Sequence, residues 1–284
     1  MSAMSGRQSV AGYSIFHETM ADMTFPELVQ AAADRAVVLW GLGVIEQHGP
    51  HLPLGTDVYM PSALLRQVRH LLRARNISSV IMPPFYWGVN HVTGMFPGSF
   101  EVRPQIMIEL MVDLIKSLRK DNFSTLFCVS GHGDALHNRT LLDGLRRGAV
   151  ESGVKGYFVG SPAFFKRLGF DPADPSLLPT AAEVESKSAY FDVHAGALET
   201  SPMWALYPEL VRTEVLPMLR PTQFDAGDMA EWRKGRGEAL RKTPDGYLGD
   251  PAASDPEMGA RMMAEHAVIV ADAIAEKVRG ADRD

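Results

Sequence analysis

The chain has 284 residues, 46% of them hydrophobic and 22% charged, a composition unlike that of disordered or fibrous proteins. Its formal net charge of −6 argues against a phosphate-binding surface, so we expect no nucleic-acid partner. The single cysteine, Cys128, excludes an internal disulfide, and its apolar neighbours favour a buried structural thiol. No secretory pattern or membrane-length apolar run is present, which predicts a cytoplasmic protein with no membrane partner.

Strands and helices are predicted to alternate along the first half of the chain. A threonine cap and Pro26 predict a helix over 24–34, and the apolar run after it predicts a strand over 36–44. Further helices are predicted over 63–76, 105–122 and 137–153, and further strands over 78–88, 124–131 and 155–161. This alternation of apolar strands with amphipathic helices indicates an α/β fold with a mostly parallel sheet covered on both faces.

The alternation is predicted to stop after Ser161. Residues 162–192 mix aromatic residues with Pro, Asp and Ser, which indicates an excursion or flap rather than a second domain. A long amphipathic helix is predicted over 255–280. We therefore expect one domain over 22–280, preceded by an N-terminal extension over 1–21.

Acidic residues and histidines follow two of the predicted strands. Glu46 and His48 lie at the end of the first, and His132 and Asp134 directly follow the third. Residues two apart in an extended chain point the same way, and ligands of open α/β sheets bind beyond the carboxyl ends of the strands. Asp57 lies near the start of the next helix, whose positive end favours an ionised carboxylate. The sequence therefore predicts one site built from these five residues.

Such a site needs cations, because three carboxylates and two imidazoles gathered together would otherwise repel and stay poorly solvated. Mixed carboxylate and imidazole ligands suit zinc, manganese or iron. Five ligands are more than one catalytic zinc usually takes, and they suit two divalent ions about 3.5–4 Å apart. We predict that Asp57 bridges the two ions.

Two other readings of these segments are weaker. The stretch GLGVIE suggests a dinucleotide-binding loop, but Glu46 replaces the last glycine and would repel a pyrophosphate. Ser130 suggests a serine hydrolase, yet it lacks the G-x-S-x-G turn that exposes such a nucleophile.

Five motifs together resemble the creatininase, or creatinine amidohydrolase, family: EQHGPHLPLGTD (46–57), HVTGMFPGSFEV (91–102), SGHGD (130–134), HAGALETS (194–201) and GYLGDP (246–251). The resemblance implies a three-layer α/β/α sandwich, two metal ions per chain and a homo-oligomer, specifically a hexamer. It also implies that Glu46 and His132 bind one metal, that His48 and Asp134 bind the other, and that Asp57 bridges them.

The resemblance further implies residues that act on the substrate. His194 matches the family histidine that carries a proton, a role that suits an imidazole near neutral pH, and Glu199 matches an acidic residue that arranges the site. We expect His91, Trp87 and Tyr190 to line the substrate pocket. The expected flap offers Phe164, Phe165, Phe170, Tyr190 and Phe191 but no tryptophan, which argues against creatinine as the substrate.

The predicted function is metal-dependent hydrolysis of a cyclic amide or another C–N bond in a small molecule, by water activated between two ions. One alternative is that the same centre opens a carbocyclic diketone or removes a formyl group. The other is a metal-binding scaffold without catalysis.

Overall fold

The structure is a computed structural model that describes residues 14–181 and 190–281. Its strands are β1 (Val37–Leu42), β2 (Ser79–Ile81), β3 (Thr125–Ser130), β4 (Lys155–Gly160) and β5 (Leu177–Pro179). Its α-helices are α1 (Phe25–Ala33), α2 (Thr56–Ala74), α3 (Pro104–Lys120), α4 (Ala135–Ser152), α5 (Pro162–Leu168), α6 (Ala197–Leu206), α7 (Ala226–Trp232), α8 (Arg236–Lys242) and α9 (Pro256–Ala281). Short 3₁₀ helices cover Met20–Asp22, Pro208–Leu210, Leu216–Met218 and Pro251–Ala253.

The five strands form a parallel sheet in the order β2-β1-β3-β4-β5. Alternate residues of β1 enter different cores because successive side chains point to opposite faces. Val37 and Leu39 pack with α2 and α9, whereas Val38 and Trp40 pack with α3 and α4. The predicted three-layer α/β/α sandwich is therefore confirmed.

The predicted helices form, with one boundary shifted in a way that matters. In α1, Thr24 and Glu27 complete a capping box and Pro26 occupies the first turn. Helix α2 begins at Thr56 rather than at residue 63, because a proline near a helix start is tolerated and Pro61 does not end the helix. The earlier start places Asp57 in the first turn of α2, where its carboxylate faces the helix's positive end.

The expected end of the alternation after Ser161 is wrong. Helix α5 follows β4, and β5 then pairs in parallel with β4 as an edge strand. The sequence signal is weak because β5 has three residues and ends in Pro179, which only an edge strand tolerates. Residues 182–189 of the expected flap lie outside the described residues.

Three of the expected flap aromatics belong to the core instead. The rings of Phe164, Phe165 and Phe170 surround Phe158 of β4, with centroids 5.5–6.3 Å from it. Phe165 is buried. These residues therefore stabilise the sheet rather than cover a substrate.

The predicted C-terminal helix is confirmed as α9, which packs against α2 and α6. Cys128 is fully buried in β3, and burial raises the pKa of its thiol far above the ordinary value, as expected for a structural cysteine. Within 14–181 and 190–281, no helix has the length and apolar character needed to cross a bilayer.

Candidate metal centre

The predicted ligands meet at the carboxyl edge of the sheet. Glu46 and His48 follow β1, His132 follows β3, and Asp57 projects from the first turn of α2. Backbone packing fixes this meeting point: a Cβ atom at Gly43 or Gly131 would overlap the carbonyl oxygen of Asp57. Two glycines at the strand ends therefore let α2 approach closely enough for the side chains to converge.

Asp57 lies between two groups of ligand atoms. Its Oδ2 is 2.9 Å from His132 Nδ1, which is 3.3 Å from Glu46 Oε1. Its Oδ1 is 3.2 Å from His48 Nε2, which is 3.6 Å from Glu199 Oε2. The ligand atoms of each group, Glu46–Asp57–His132 and His48–Asp57–Glu199, lie within 4.8 Å of one another. A single carboxylate is thus shared by two possible metal sites.

A third possible group contains Glu46, His48 and His194. His194 Nδ1 is 3.6 Å from Glu46 Oε1, and its ring centroid is 4.4 Å from that of His48. Nε2 lies 2.8 Å from the carbonyl oxygen of Gln47. A hydrogen donated from Nε2 to this carbonyl leaves Nδ1 unprotonated and facing the centre.

The centre attracts positive charge. Burial disfavours the ionised form of Asp57. The imidazoles of His48 and His132 nevertheless hold the pKa of Asp57 well below its ordinary value. In turn, burial of His48 lowers its pKa, but Asp57, Glu199 and Glu46 together outweigh burial and raise the pKa to about 10. Buried carboxylates require cations, which here are either protons on the rings or metal ions.

The geometry around the ligand atoms suits metal ions better than direct hydrogen bonds. His48 Nε2 lies 3.2 Å from Asp57 Oδ1 and 3.6 Å from Glu199 Oε2, but in the described part of the chain it makes no hydrogen bond. Nδ1 of the same ring lies 3.1 Å from the carbonyl oxygen of Glu46, which orients Nε2 toward the carboxylates. Second partners of this kind are typical of histidines that bind metals.

Hydrogen bonds hold two of the carboxylates in place. The Thr93 hydroxyl donates to Glu46 Oε2, and the backbone N–H of Ala195 donates to Glu199 Oε2 over 2.6 Å. Burial raises the pKa of Glu199 to about 7, although its side chain is 22% exposed. Thr93 lies in the 91–102 motif, but sequence reasoning did not assign it a function.

The structure does not place Asp134 with the other predicted ligands. Its Oδ1 accepts hydrogen bonds from the backbone N–H groups of Leu136 and His137, at 2.7 and 3.1 Å, and so caps α4. Its Oδ2 accepts from the N–H groups of His91 and Val92, both at 2.9 Å. With both oxygens engaged, Asp134 holds the loop and the helix together. Glu199, rather than Asp134, lies in one group of candidate ligand atoms with His48 and Asp57.

A cavity with a volume of about 160 Å³ opens onto the centre. We call it the central cavity. The acidic residues and histidines that line it are all predicted site residues: Glu46, Asp57, His132, Asp134, His194 and Glu199. Its other side chains include Thr93, the apolar Val92, Ala135, Leu168, Val193 and Trp232, and the basic Arg167 and Arg233. Sequence reasoning missed both arginines, because no spacing rule relates the ends of α5 and α7 to the strand ends.

The three expected substrate-pocket residues do not line the central cavity within the described part of the chain. His91 binds Asp134 through its backbone, and its ring Nε2 lies 3.1 Å from the carbonyl oxygen of Lys234. Trp87 is 44% exposed and packs edge-on against Phe100, and Tyr190 is at the surface. The adjacent Val92 and Thr93 line the cavity instead of His91.

Comparisons with known proteins bear on this geometry. The family described as creatininase, creatinine amidohydrolase, matches residues 21–274. A mycofactocin precursor peptide peptidase of Mycolicibacterium smegmatis is 30% identical, over 81% of this chain and 80% of that protein. A creatinine amidohydrolase of Pseudomonas putida is 24% identical, over 91% and 96% of the two chains. A 3-dehydro-scyllo-inosose hydrolase of Thermotoga maritima is 25% identical, over 71% of this chain and 60% of that protein.

The fold is shared with solved structures. A manganese form of creatininase superposes with a TM-score of 0.67 at 20% identity, covering 92% of this chain and 98% of that one. The family match spans most of the sequence and includes all the residues of the candidate centre. The chain belongs to the creatininase family of metal-dependent amidohydrolases.

Proposed function

We propose that this protein uses two divalent metal ions, manganese or zinc, to hydrolyse a C–N bond of a small amide. The observation that carries the proposal is the position of Asp57, whose two oxygens face separate groups of ligand atoms. Glu46, Asp57 and His132 would hold one ion, and His48, Asp57 and Glu199 the other. When bound, the ions supply Lewis acidity and lower the pKa of water toward about 7.

His194 is the proton carrier in this proposal. Burial lowers its pKa to about 4, so the ring is neutral at physiological pH and can accept a proton. Its bond to the Gln47 carbonyl points the basic Nδ1 toward the site where water would lose that proton. From the same position His194 can pass the proton to the departing nitrogen, because it also lines the central cavity.

C–N cleavage is favoured over the alternatives by two of the relatives, which are named an amidohydrolase and a peptidase. Two enclosed ligand groups with three residues each would leave coordination positions for water and substrate, which argues against a scaffold without catalysis. The relative named 3-dehydro-scyllo-inosose hydrolase keeps ring opening of a carbocyclic diketone as the second candidate.

Metal titration of the chelator-treated protein tests the ligand assignment. We expect wild type to bind two Mn²⁺ or Zn²⁺ ions per chain by calorimetry and elemental analysis. Glu46→Gln and Glu199→Gln should each lose one ion, and Asp57→Ala should lose both. Asp113→Ala removes an exposed carboxylate on α3 and should bind as wild type does.

Hydrolysis of a panel of lactams, formamides, dipeptides and cyclic polyol ketones tests the reaction. Asp57→Ala should lower turnover by more than about 100-fold, a loss larger than that expected when only a supporting partner of a ligand is removed. Full turnover in Asp57→Ala, or one ion per wild-type chain, would contradict the proposal. Cleavage of the ketones alone would establish the second candidate.

A further inference from the structure

The cationic side chains of the central cavity are placed for substrate binding rather than for metal binding. Arg167 lies at the end of α5 and Arg233 directly follows α7, so two separate helices each bring a guanidinium to one cavity. Neither group can ligate a metal, because an arginine stays protonated and has no acceptor. Arg167 also lies over the ring of Phe164, 5.2 Å from its centroid, so the place of Arg233 in the lining is the one that calls for another explanation.

Arg233 follows a residue that packs near the proton carrier. The preceding residue, Trp232, is buried, and its indole N–H donates to Thr243 Oγ1 over 3.0 Å. The Trp232 ring lies 6.4 Å from the ring of His194. The backbone N–H of Arg233 itself donates to the Met229 carbonyl over 3.0 Å. The backbone at the end of α7 thus places Arg233 in the lining of the cavity that opens onto the centre.

The charge of Arg233 has no carboxylate partner among the residues that the structure describes. Over 14–181 and 190–281, no carboxylate forms an ion pair with it, whereas the adjacent Lys234 pairs with Glu231 at 2.6 Å. Four carboxylates line the cavity, and a pair of divalent ions would neutralise them. The positive charge of Arg233, which is exposed at the cavity, would then remain without a carboxylate partner among the described residues.

We propose that the substrate is a small amide carrying an anionic group, a carboxylate or a phosphate, which Arg233 and Arg167 bind while the amide lies at the metal centre. This inference rests on the proposed function. A guanidinium matches both anions because its planar donors form paired hydrogen bonds to two oxygens. The apolar Val92, Val193 and Leu168 would contact the part of the substrate between its two polar ends.

Hydroxamates test the inference without requiring the true substrate, because they chelate divalent ions and so anchor at the metal centre. The probes are succinic monohydroxamate, which ends in a carboxylate, its neutral carboxamide analogue, and phosphonoacetohydroxamate. Calorimetry with the metal-loaded protein should give at least about tenfold tighter binding of an anionic probe than of the carboxamide. Added salt should weaken this preference.

Arg233→Met and Arg167→Met should each reduce the preference severalfold while leaving carboxamide binding unchanged. The matched controls are Lys234→Met and Lys166→Met, which remove the same charge from neighbouring exposed residues outside the cavity. Arg233→Gln provides a second neutral variant if methionine disturbs folding. Which anionic probe binds more tightly separates carboxylate from phosphate recognition.

The outcomes are distinct. Equal affinities of all three probes would overturn this inference and leave the metal centre intact. A preference that survives both arginine variants would refute the role of these residues. Failure of every hydroxamate to bind would remove the proposed metal centre, and this inference with it.

Discussion

Replacing Asp134 by alanine separates a structural role from metal binding. The sequence motif predicts a metal ligand, but the structure gives this carboxylate four backbone donors, from Leu136, His137, His91 and Val92. Asp134 is 5% exposed, so water cannot readily replace the lost acceptor. We therefore expect Asp134→Ala to destabilise the fold and to keep both metal ions.

The expected size follows from these contacts. Loss of the cap of α4 costs about 1–2 kcal/mol. The N–H groups of His91 and Val92 lose a charged acceptor, which adds about 1–3 kcal/mol. The free energy of unfolding should thus fall by about 2–5 kcal/mol. For a chain of this length the melting temperature should drop by about 3–8 °C.

Urea denaturation measures the loss, and elemental analysis counts the ions. Asp134→Asn keeps one acceptor oxygen and should lose about half as much stability as Asp134→Ala. Asp225→Ala removes the exposed cap of α7 and is the control, with an expected cost of about 1 kcal/mol. An Asp134→Ala protein that keeps its stability but loses one ion per chain would refute the structural role.

Three further predictions concern single positions. Thr93→Val removes the hydroxyl donor to Glu46 and should weaken metal binding about 10–100-fold in a competition assay with a chelating dye; unchanged affinity would contradict this. Gly131→Ala places a Cβ against the first turn of α2 and should cost about 1–3 kcal/mol in urea, unlike Gly133→Ala, whose Cβ meets open space. Burial lowers the pKa of His266, so the folded protein binds fewer protons than the unfolded chain, and stability should fall as the pH drops below 6.5. His266→Gln should flatten this part of the melting-temperature profile, and an equally steep profile would exclude His266 as the cause.

Much of the fold is predictable because periodicity reports burial directly. The strands are apolar on both sides, as in Val37–Leu42, and this requires helices on both faces of the sheet. Likewise, parallel strands end at one edge, so Glu46, His48 and His132 had to lie near one another. Local pattern and sheet topology together therefore predict that three of the five expected ligands, Glu46, His48 and His132, lie near one another.

The rest depends on tertiary contacts that spacing does not encode. Asp134 follows β3 as a ligand would, but the loop at 91–92 and the start of α4 take up both its oxygens. Glu199 reaches the centre only because α6 docks beside His48. Strand β5 is too short to show a period. The homo-oligomer and the cytoplasmic location stay predictions, which sedimentation and cell fractionation can measure.

The order of the ligands along the chain has a consequence for biosynthesis. Glu46, Asp57 and His132 have all been synthesised once α4 has been made, whereas Glu199 follows much later, after β5. Because chains fold from the N-terminus during synthesis, one set of ligands becomes complete while the other still lacks a member. Under the proposed ligand assignment, a nascent chain would capture two ions at separate times, and the second capture would depend on the docking of α6.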